Sequence, residues 1–514
     1  MAISKGSTAA VIGSGVGGLA AAIRLQAQGI QTTLFEKMER PGGRGHSFEL
    51  DGFRFDAGPT VITAPGCIED LYTLCGKRME DYVKIRSLTP FYRLRWEDGG
   101  VFDYDADPKS LKQQMDDFGP GEWEGYQRFL AYAEEVYEQG YVDLSHVSFS
   151  SFWSMMKVAP DLLRLRATTP IYQTVSKFVR SERLRQILSF NTLLIGGNPF
   201  DVSSIYSLIH PLEKKFGVHS AEGGMGSLVD GLWRLYQDIG GKVRLGAEVD
   251  RINVEGGAVS GLALANGETY KVNTVVSNCD MIETYGRLLK HLPDAKRLAN
   301  RWGKKHFSMS LFVYYFGTDK MFPGLSHHNI LFGHRYRELL KDIFHRGVIP
   351  DDFSLYLYAP SVNDPTMAPE GGGSFYVLSP VAHMGKNNVD WDQFGPVYRD
   401  KIINYLEKHY MPGLRSSIKV DKMFTPKDFE SSYNSHLGSA FSLEPRLTQS
   451  AYFRLQNRDK DFEGLYFVGA STHPGAGLPG VIDSAKATTD LIVAPEGQSR
   501  PFWKDSLTQA PVLT

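Results

Sequence analysis

Residues 9–36 read AAVIGSGVGGLAAAIRLQAQGIQTTLFE, and the rest of the chain is organised around them. The apolar run 9–12 predicts a strand, the glycines at 13, 15 and 18 predict a tight turn, and the alanine-rich segment to Gln28 predicts a helix. Residues 32–35 predict a second strand, closed by the acid Glu36. Strand, G-x-G-x-x-G turn, helix, strand and acid form the order of a dinucleotide-binding unit. Gly13 permits the turn, Gly15 lets a pyrophosphate approach the backbone, and Gly18 lets helix and strand pack closely. Glu36 follows Gly13 by 23 positions, where a carboxylate accepts hydrogen bonds from a ribose diol.

The next segment, residues 37–60, reads KMERPGGRGHSFELDGFRFDAGPT. Lys37 stands beside the acid, and a Gly-Gly-Arg turn follows at 42–44. Arg44 on such a turn sets a cation against the pyrophosphate while its glycine neighbours let the chain pass close. Residues 465–486, LYFVGASTHPGAGLPGVIDSAK, form a second glycine-rich entry: a strand, a loop beginning at Gly469, and a helix opening near Pro479, Gly480 and Val481. The expectation is that the Val481 backbone amide at this helix start faces the cofactor.

Composition narrows the classes. At 514 residues the chain exceeds one typical core, so two intertwined domains are expected. With 56 Lys and Arg against 58 Asp and Glu, nothing points to a nucleic acid partner. The cysteines Cys67, Cys75 and Cys279 form no C-x-x-C pair and predict structural thiols in a reducing cytoplasm. The first eight residues predict no export signal, and no apolar run approaches the roughly 20 residues a membrane helix needs. Membrane contact is therefore expected to be peripheral. No metal site is expected.

Between these entries, residues 66–77 and most of 108–185 show helical periodicity, and 82–96 alternates like sheet before turning at 98–100. Residues 242–252 are expected to form one strand, and 274–277 a further edge of the cofactor domain. From 281 to about 450, β-rich runs at 308–316, 354–359 and 374–380 are dense in Phe and Tyr, as an apolar tunnel requires. Residues 149–166, FSSFWSMMKVAPDLLRLR, set Trp153, Met155 and Met156 among Lys157, Arg164 and Arg166. That composition fits either an interfacial membrane anchor or side chains packed inside a helical lobe.

The chain resembles the bacterial-type phytoene desaturases from residue 8 to about 491. The stretches that carry the resemblance include VIGSGVGGLAAAIRL, PGGRGHSFELDGFRFDAGPTVIT, GGNPFDVSSIYSLIH, GSAFSLEPRLTQSAYFR and FVGASTHPGAGLPGVIDSAKAT. The resemblance implies an α/β fold with a Rossmann-type FAD-binding domain of the flavin amine oxidase and carotenoid desaturase superfamily. A discontinuous α+β substrate domain, with a helical, membrane-facing lobe, accompanies it. The expected boundaries are 1–75, 215–280 and 450–495 for the FAD domain and 76–214 and 281–449 for the substrate domain, with 496–514 a loose tail. The cofactor-binding set comprises Gly13, Gly15, Gly18, Glu36, Lys37, Arg44, Val249, Gly469, Pro479, Gly480 and Val481. In flavoproteins of this kind the Val249 backbone would meet the adenine.

The implied activity is successive dehydrogenation of phytoene through phytofluene, zeta-carotene and neurosporene to lycopene, at the inner face of the membrane. Oxygen or a quinone would accept the electrons, and a homo-oligomer is compatible with the sequence. A hydrocarbon substrate offers no hydrogen-bonding handle, so recognition falls to shape and apolar burial at about 25 cal/mol per Å². No obligatory base emerges, and His473 is the candidate to test first, beside a structural role for the same ring. Alternatives are a related desaturase that stops at neurosporene or takes hydroxylated or methoxylated carotenoids, a flavin amine oxidase, and a non-catalytic isoprenoid carrier. An amine oxidase needs a polar pocket, and a carrier gains nothing from an intact flavin site.

Overall fold

The computed structural model describes residues 6–138 and 167–493. The expected anchor segment 149–166 and the tail 496–514 lie outside the described residues. A five-stranded parallel sheet carries the first motif, in the order Lys242–Arg244, Gln31–Phe35, Thr8–Ile12, Val275–Ser277, Leu465–Phe467. The helix Val16–Ala27 returns across it, with Leu19, Ala20, Ala21, Ala22 and Ile23 all at 0% exposure. Its alanines let the helices Met225–Asp238 and Leu478–Val493 pack close against it. A parallel sheet covered on both faces accounts for the unbroken apolar run at residues 9–12.

Two expectations for this region change. Residues 242–252 are not one strand: Lys242–Arg244 joins the parallel sheet, while Val249–Glu255 begins a separate antiparallel sheet with Ala258–Leu264 and Thr269–Lys271. Gly246 at φ +60° breaks the run, and the amides of Gly246 and Ala247 are captured by the carbonyls of Met38 and Glu36. Residues 275–277 are interior, since Val275–Ser277 pairs on one side with Thr8–Ile12 and on the other with Leu465–Phe467. The local pattern of a short apolar strand is the same at an edge and in the middle, so sequence alone does not separate them.

A seven-stranded mixed sheet forms the second layer system. Its order is Ile418–Phe424, Ser310–Thr318, Gly373–Val381, Leu355–Tyr358, His328–Phe332, Tyr92–Trp96, Val101–Tyr104, and only the pair His328–Phe332 with Tyr92–Trp96 is parallel. Every residue of Ser310–Thr318 is buried. The period of two then decides which side each faces. Phe312, Tyr314 and Phe316 join a core with Trp391, Tyr398 and Leu406 of the helix Trp391–His409, whereas Leu311, Val313 and Tyr315 join the core on the opposite face. That opposite face turns towards the parallel sheet and forms one wall of the cavity described next.

The helical expectation for residues 66–77 and 108–185 holds where residues are described, with helices Gly66–Leu74, Pro108–Asp116 and Glu122–Val136. Asp107 caps the second through the amides of Lys109 and Ser110, with Pro108 in the first turn. Among the described residues no helix is long and apolar enough to cross a membrane.

Candidate active site

A cavity of about 400 Å³ runs from the ends of the parallel strands to the inner face of the large sheet. Gly13, Gly15, Glu36, Lys37, Arg44, Val249, Gly469 and Val481 line it. Gly18 lies behind the wall, where a Cβ would stand 2.0 Å from the Gly13 carbonyl oxygen, so only glycine fits. Pro479, Gly480 and His473 line a second cavity of about 300 Å³ instead. The two chambers share Val61, Leu194, Ala476, Gly477 and Leu478.

The cradle is built by loops that touch. A Cβ on Gly43 would meet the Cα of Gly15 at 3.2 Å, so the Gly-Gly-Arg turn rests against the first glycine loop. Gly42 donates its amide to the Ser14 carbonyl at 3.0 Å and to Ser14 Oγ at 3.2 Å. Glu36 accepts from Ser14 N at 2.8 Å and Ser14 Oγ at 2.7 Å on one oxygen, and from Met38 N at 2.9 Å on the other. These bonds fix the carboxylate and leave each oxygen further accepting capacity towards the cavity. Sequence reasoning missed Asn278, which follows the interior strand Val275–Ser277. A Cβ on Gly15, Gly17 or Gly469 would meet its side-chain amide at 2.7, 2.9 and 2.5 Å, so one amide fills the space three glycines leave open. The available signal was its place at the carboxyl end of a parallel strand, where such sheets bind ligands.

Arg44 is exposed only in part, yet its Nε is enclosed and has no hydrogen-bond partner among the described residues. One terminal nitrogen donates to Ser435 Oγ. Enclosure lowers its pKa, against the pull of Asp280 and Tyr433. Burial likewise pushes the Asp280 carboxyl up, against His436 and Arg44. A guanidinium with a free donor on a phosphate-sized cradle calls for an anion. Lys37 lines the cavity, and its ammonium donates to Asn434 Oδ1 at 2.7 Å and to the Ser431 carbonyl at 3.2 Å, tying the cradle to the helix Pro426–Tyr433. The Val481 amide differs from expectation, since it donates to the Gly477 carbonyl at 2.9 Å within the first helical turn. Val481 therefore meets the cavity with its side chain. Its amide is spent because the helix already opens at Leu478.

Beyond the cradle the chamber is apolar and aromatic, with Phe190, Leu311, Ile330, Phe332, Tyr356 and Leu378 in its wall. His473 takes no part there; its amide donates to the Leu455 carbonyl and its own carbonyl accepts from Asn457. No cluster of metal-ligating side chains occurs among the described residues.

The sequence model of flavin-containing amine oxidoreductases matches residues 16–493. A phytoene desaturase (lycopene-forming) of Pseudescherichia vulneris is 52% identical over 483 residues, spanning 94% of this chain and 98% of the relative. The chain belongs to the flavin-containing amine oxidoreductases, and among them to the bacterial-type phytoene desaturases. A phytoene desaturase (neurosporene-forming) of Cereibacter sphaeroides is 43% identical over 497 residues, spanning 95% of each chain. Among solved structures, putrescine oxidase bound to putrescine superposes with a TM-score of 0.64 at 14% identity, spanning 95% of this chain and 99% of that one. At that identity the likeness is one of fold.

As a member of this family the chain uses FAD. The residues present fit it: the glycine cradle gives the pyrophosphate room, and the Arg44 Nε lacks a partner until an anion arrives. Glu36 is held ready for a ribose. When bound, FAD would supply a two-electron acceptor, held by the cradle residues Gly13, Gly15, Glu36 and Arg44.

Proposed function

We propose that the chain desaturates phytoene in successive rounds, through phytofluene, zeta-carotene and neurosporene, mainly to lycopene. The observation that carries this reading is the continuity of one cavity from the dinucleotide cradle into a chamber walled by aliphatic and aromatic side chains. An amine substrate would need polar groups there, whereas a polyene needs burial and alignment. The protein's part in the reaction is to hold a chosen carbon–carbon bond against the cofactor and to exclude water. Lycopene as end point follows three relatives of 52%, 51% and 47% identity, which are lycopene-forming.

The same reading includes an FAD-binding unit drawn from residues 1–75, 215–280 and 450–495, with the remainder to 449 serving the substrate. It also includes a peripheral position on the inner face of the cell membrane, because a hydrocarbon of this kind resides in the bilayer. Electrons would pass on to oxygen or a quinone. Expression in a host that accumulates phytoene tests the function: lycopene should replace phytoene in the pigment extract. Neurosporene as the sole product would move the assignment to the shorter-acting desaturases, and unchanged phytoene would end it.

A further inference from the structure

Glu213 sits on the helix Ile209–Phe216 at 1% exposure, in the wall of the second cavity. That cavity meets the cofactor chamber along Val61, Leu194, Gly477 and Leu478, the last two at the entry of the C-terminal helix. One carboxylate oxygen accepts from Tyr92 OH at 2.7 Å and the other from Asn191 Nδ2 at 3.2 Å. Tyr92 and Asn191 are themselves buried, and each carboxylate oxygen keeps an accepting lone pair. Among the described residues no cation pairs with it; a buried carboxylate of that kind is costly, and such groups concentrate where chemistry needs them. Neither the motifs nor the cofactor cradle assigns this side chain a task.

We propose that Glu213 is the proton acceptor of the desaturation, which rests on the function proposed above. Each new double bond removes a hydride from one carbon and a proton from its neighbour. The hydride carries its electron pair to the flavin, so the substrate is oxidised by two electrons and the cofactor reduced by two. The pair of the neighbouring C–H bond becomes the π bond, and its proton converts the Glu213 carboxylate to the acid. That acid returns the proton to solvent before the next round. A proton beside an electron-deficient carbon is strongly acidic, so a carboxylate is base enough, and a dry site makes it a stronger one.

Burial raises the Glu213 pKa to about 8, with only the Tyr92 and Asn191 hydrogen bonds acting against it. None of the other groups named as facing it changes charge in the window from neutrality to mild alkali: the phenols and the imidazole stay neutral and the Arg454 guanidinium stays a cation. Burial lifts Tyr104 and Tyr126, on Val101–Tyr104 and Glu122–Val136, above the usual phenol range, and it lowers His210 on the same helix to about 4. Arg454, across the second cavity, donates to the carbonyls of Thr472 and Ala470. Turnover should therefore rise with pH through about 8.

The test mixes FAD-loaded enzyme anaerobically with phytoene in liposomes and follows flavin bleaching across pH. Wild type should show the rise, and Glu213→Gln should keep full FAD content, lose about 100-fold or more in rate, and lose the pH dependence. Infrared titration of the FAD-free protein gives an independent reading: a carboxylic acid band absent in Glu213→Gln should vanish in wild type near pH 8. Tyr92→Phe removes a bond that favours the charged form, so it should move the profile to higher pH, and it serves if the Gln variant does not fold. A Glu213→Gln enzyme with wild-type rate and profile overturns the proposal, as does an unmoved profile in Tyr92→Phe. A wild type that phytoene does not bleach overturns the desaturase function instead, and the proposal with it.

Discussion

The Tyr356 hydroxyl lies 2.7 Å from Nδ1 of His328, at the end of a hydrogen-bond chain that reaches the cofactor loop. Tyr356 OH is 2.7 Å from Thr60 Oγ1, which is 3.0 Å from Tyr376 OH, which donates to the Gly58 carbonyl at 2.9 Å. A carbonyl only accepts, so each hydroxyl must donate towards Gly58. All the contacts are then filled only when His328 carries its proton on Nδ1 and donates to Tyr356. Burial and the neighbouring His327 hold the His328 pKa well below the usual value, so the ring is neutral. Nitrogen-15 NMR should find the Nδ1–H tautomer throughout the neutral range. Tyr356→Phe, which leaves His328 Nδ1 without its acceptor and removes the bond Thr60 accepts while Thr60 keeps its bond to Tyr376, should cost about 1–3 kcal/mol, read as a lower Tm. An Nε2–H signal would contradict this.

The glycine fingerprint makes a sharp contrast between two substitutions. A Cβ at Gly18 meets backbone at 2.0 Å, whereas a Cβ at the exposed Gly66 meets nothing within 4 Å. Gly18→Ala should yield colourless or insoluble protein, and Gly66→Ala should retain full flavin absorbance. Equal flavin content in the two would contradict the packing described.

Arg44→Met separates the apo and holo states. Removing a half-enclosed guanidinium relieves the FAD-free protein of a desolvated charge, while the FAD-loaded protein loses a phosphate partner. The rise in Tm on adding FAD should shrink in the variant, since that rise reports cofactor affinity. An undiminished rise would remove Arg44 from the cofactor site.

Much of this was legible in the sequence because local chemistry demands it. Gly13, Gly15 and Glu36 lie where the strand–turn–helix spacing puts them, and Arg44 lines the cavity as its Gly-Gly-Arg turn suggests. What was not legible depends on contacts distant in sequence. Asn278 matters because it fills the space beside Gly15 and Gly469, and Lys37 is held by Asn434, nearly 400 residues away. Glu213 sits in an ordinary amphipathic helix, and only its burial beside Tyr92 marks it out. The Val481 amide was misjudged because a helix start is uncertain by a residue or two, and that margin decides which amides are free.

Stability should fall in mild acid. His210 donates from Nε2 to the Leu188 carbonyl at 3.0 Å and lies 3.0 Å from the Tyr104 hydroxyl through Nδ1, a pairing the neutral ring completes. Burial lowers the pKa of both His210 and His327 from 6.5 to about 4. A depressed folded-state pKa gives stability that is intact above the unfolded value and is lost as pH falls through 6.5 towards 4. Each ring contributes up to about 1.4 kcal/mol per pH unit in that window. Glu213 acts in the opposite sense: its raised pKa gives stability present below 4.5 and lost as pH rises through about 8. Thermal melts from neutral pH down to about 5 should show a falling Tm, with a shallower fall in His210→Gln; an equal fall would contradict the assignment.

The most direct measurement is anaerobic. Oxidised, FAD-loaded enzyme is mixed with phytoene in liposomes, flavin absorbance is followed, and the carotenoids are separated by chromatography. The prediction is that phytoene bleaches the flavin and that products with progressively more conjugated double bonds appear, ending at lycopene when an acceptor is restored. A flavin that phytoene leaves oxidised, but that an amine or a hydroxylated or methoxylated carotenoid bleaches, would contradict it.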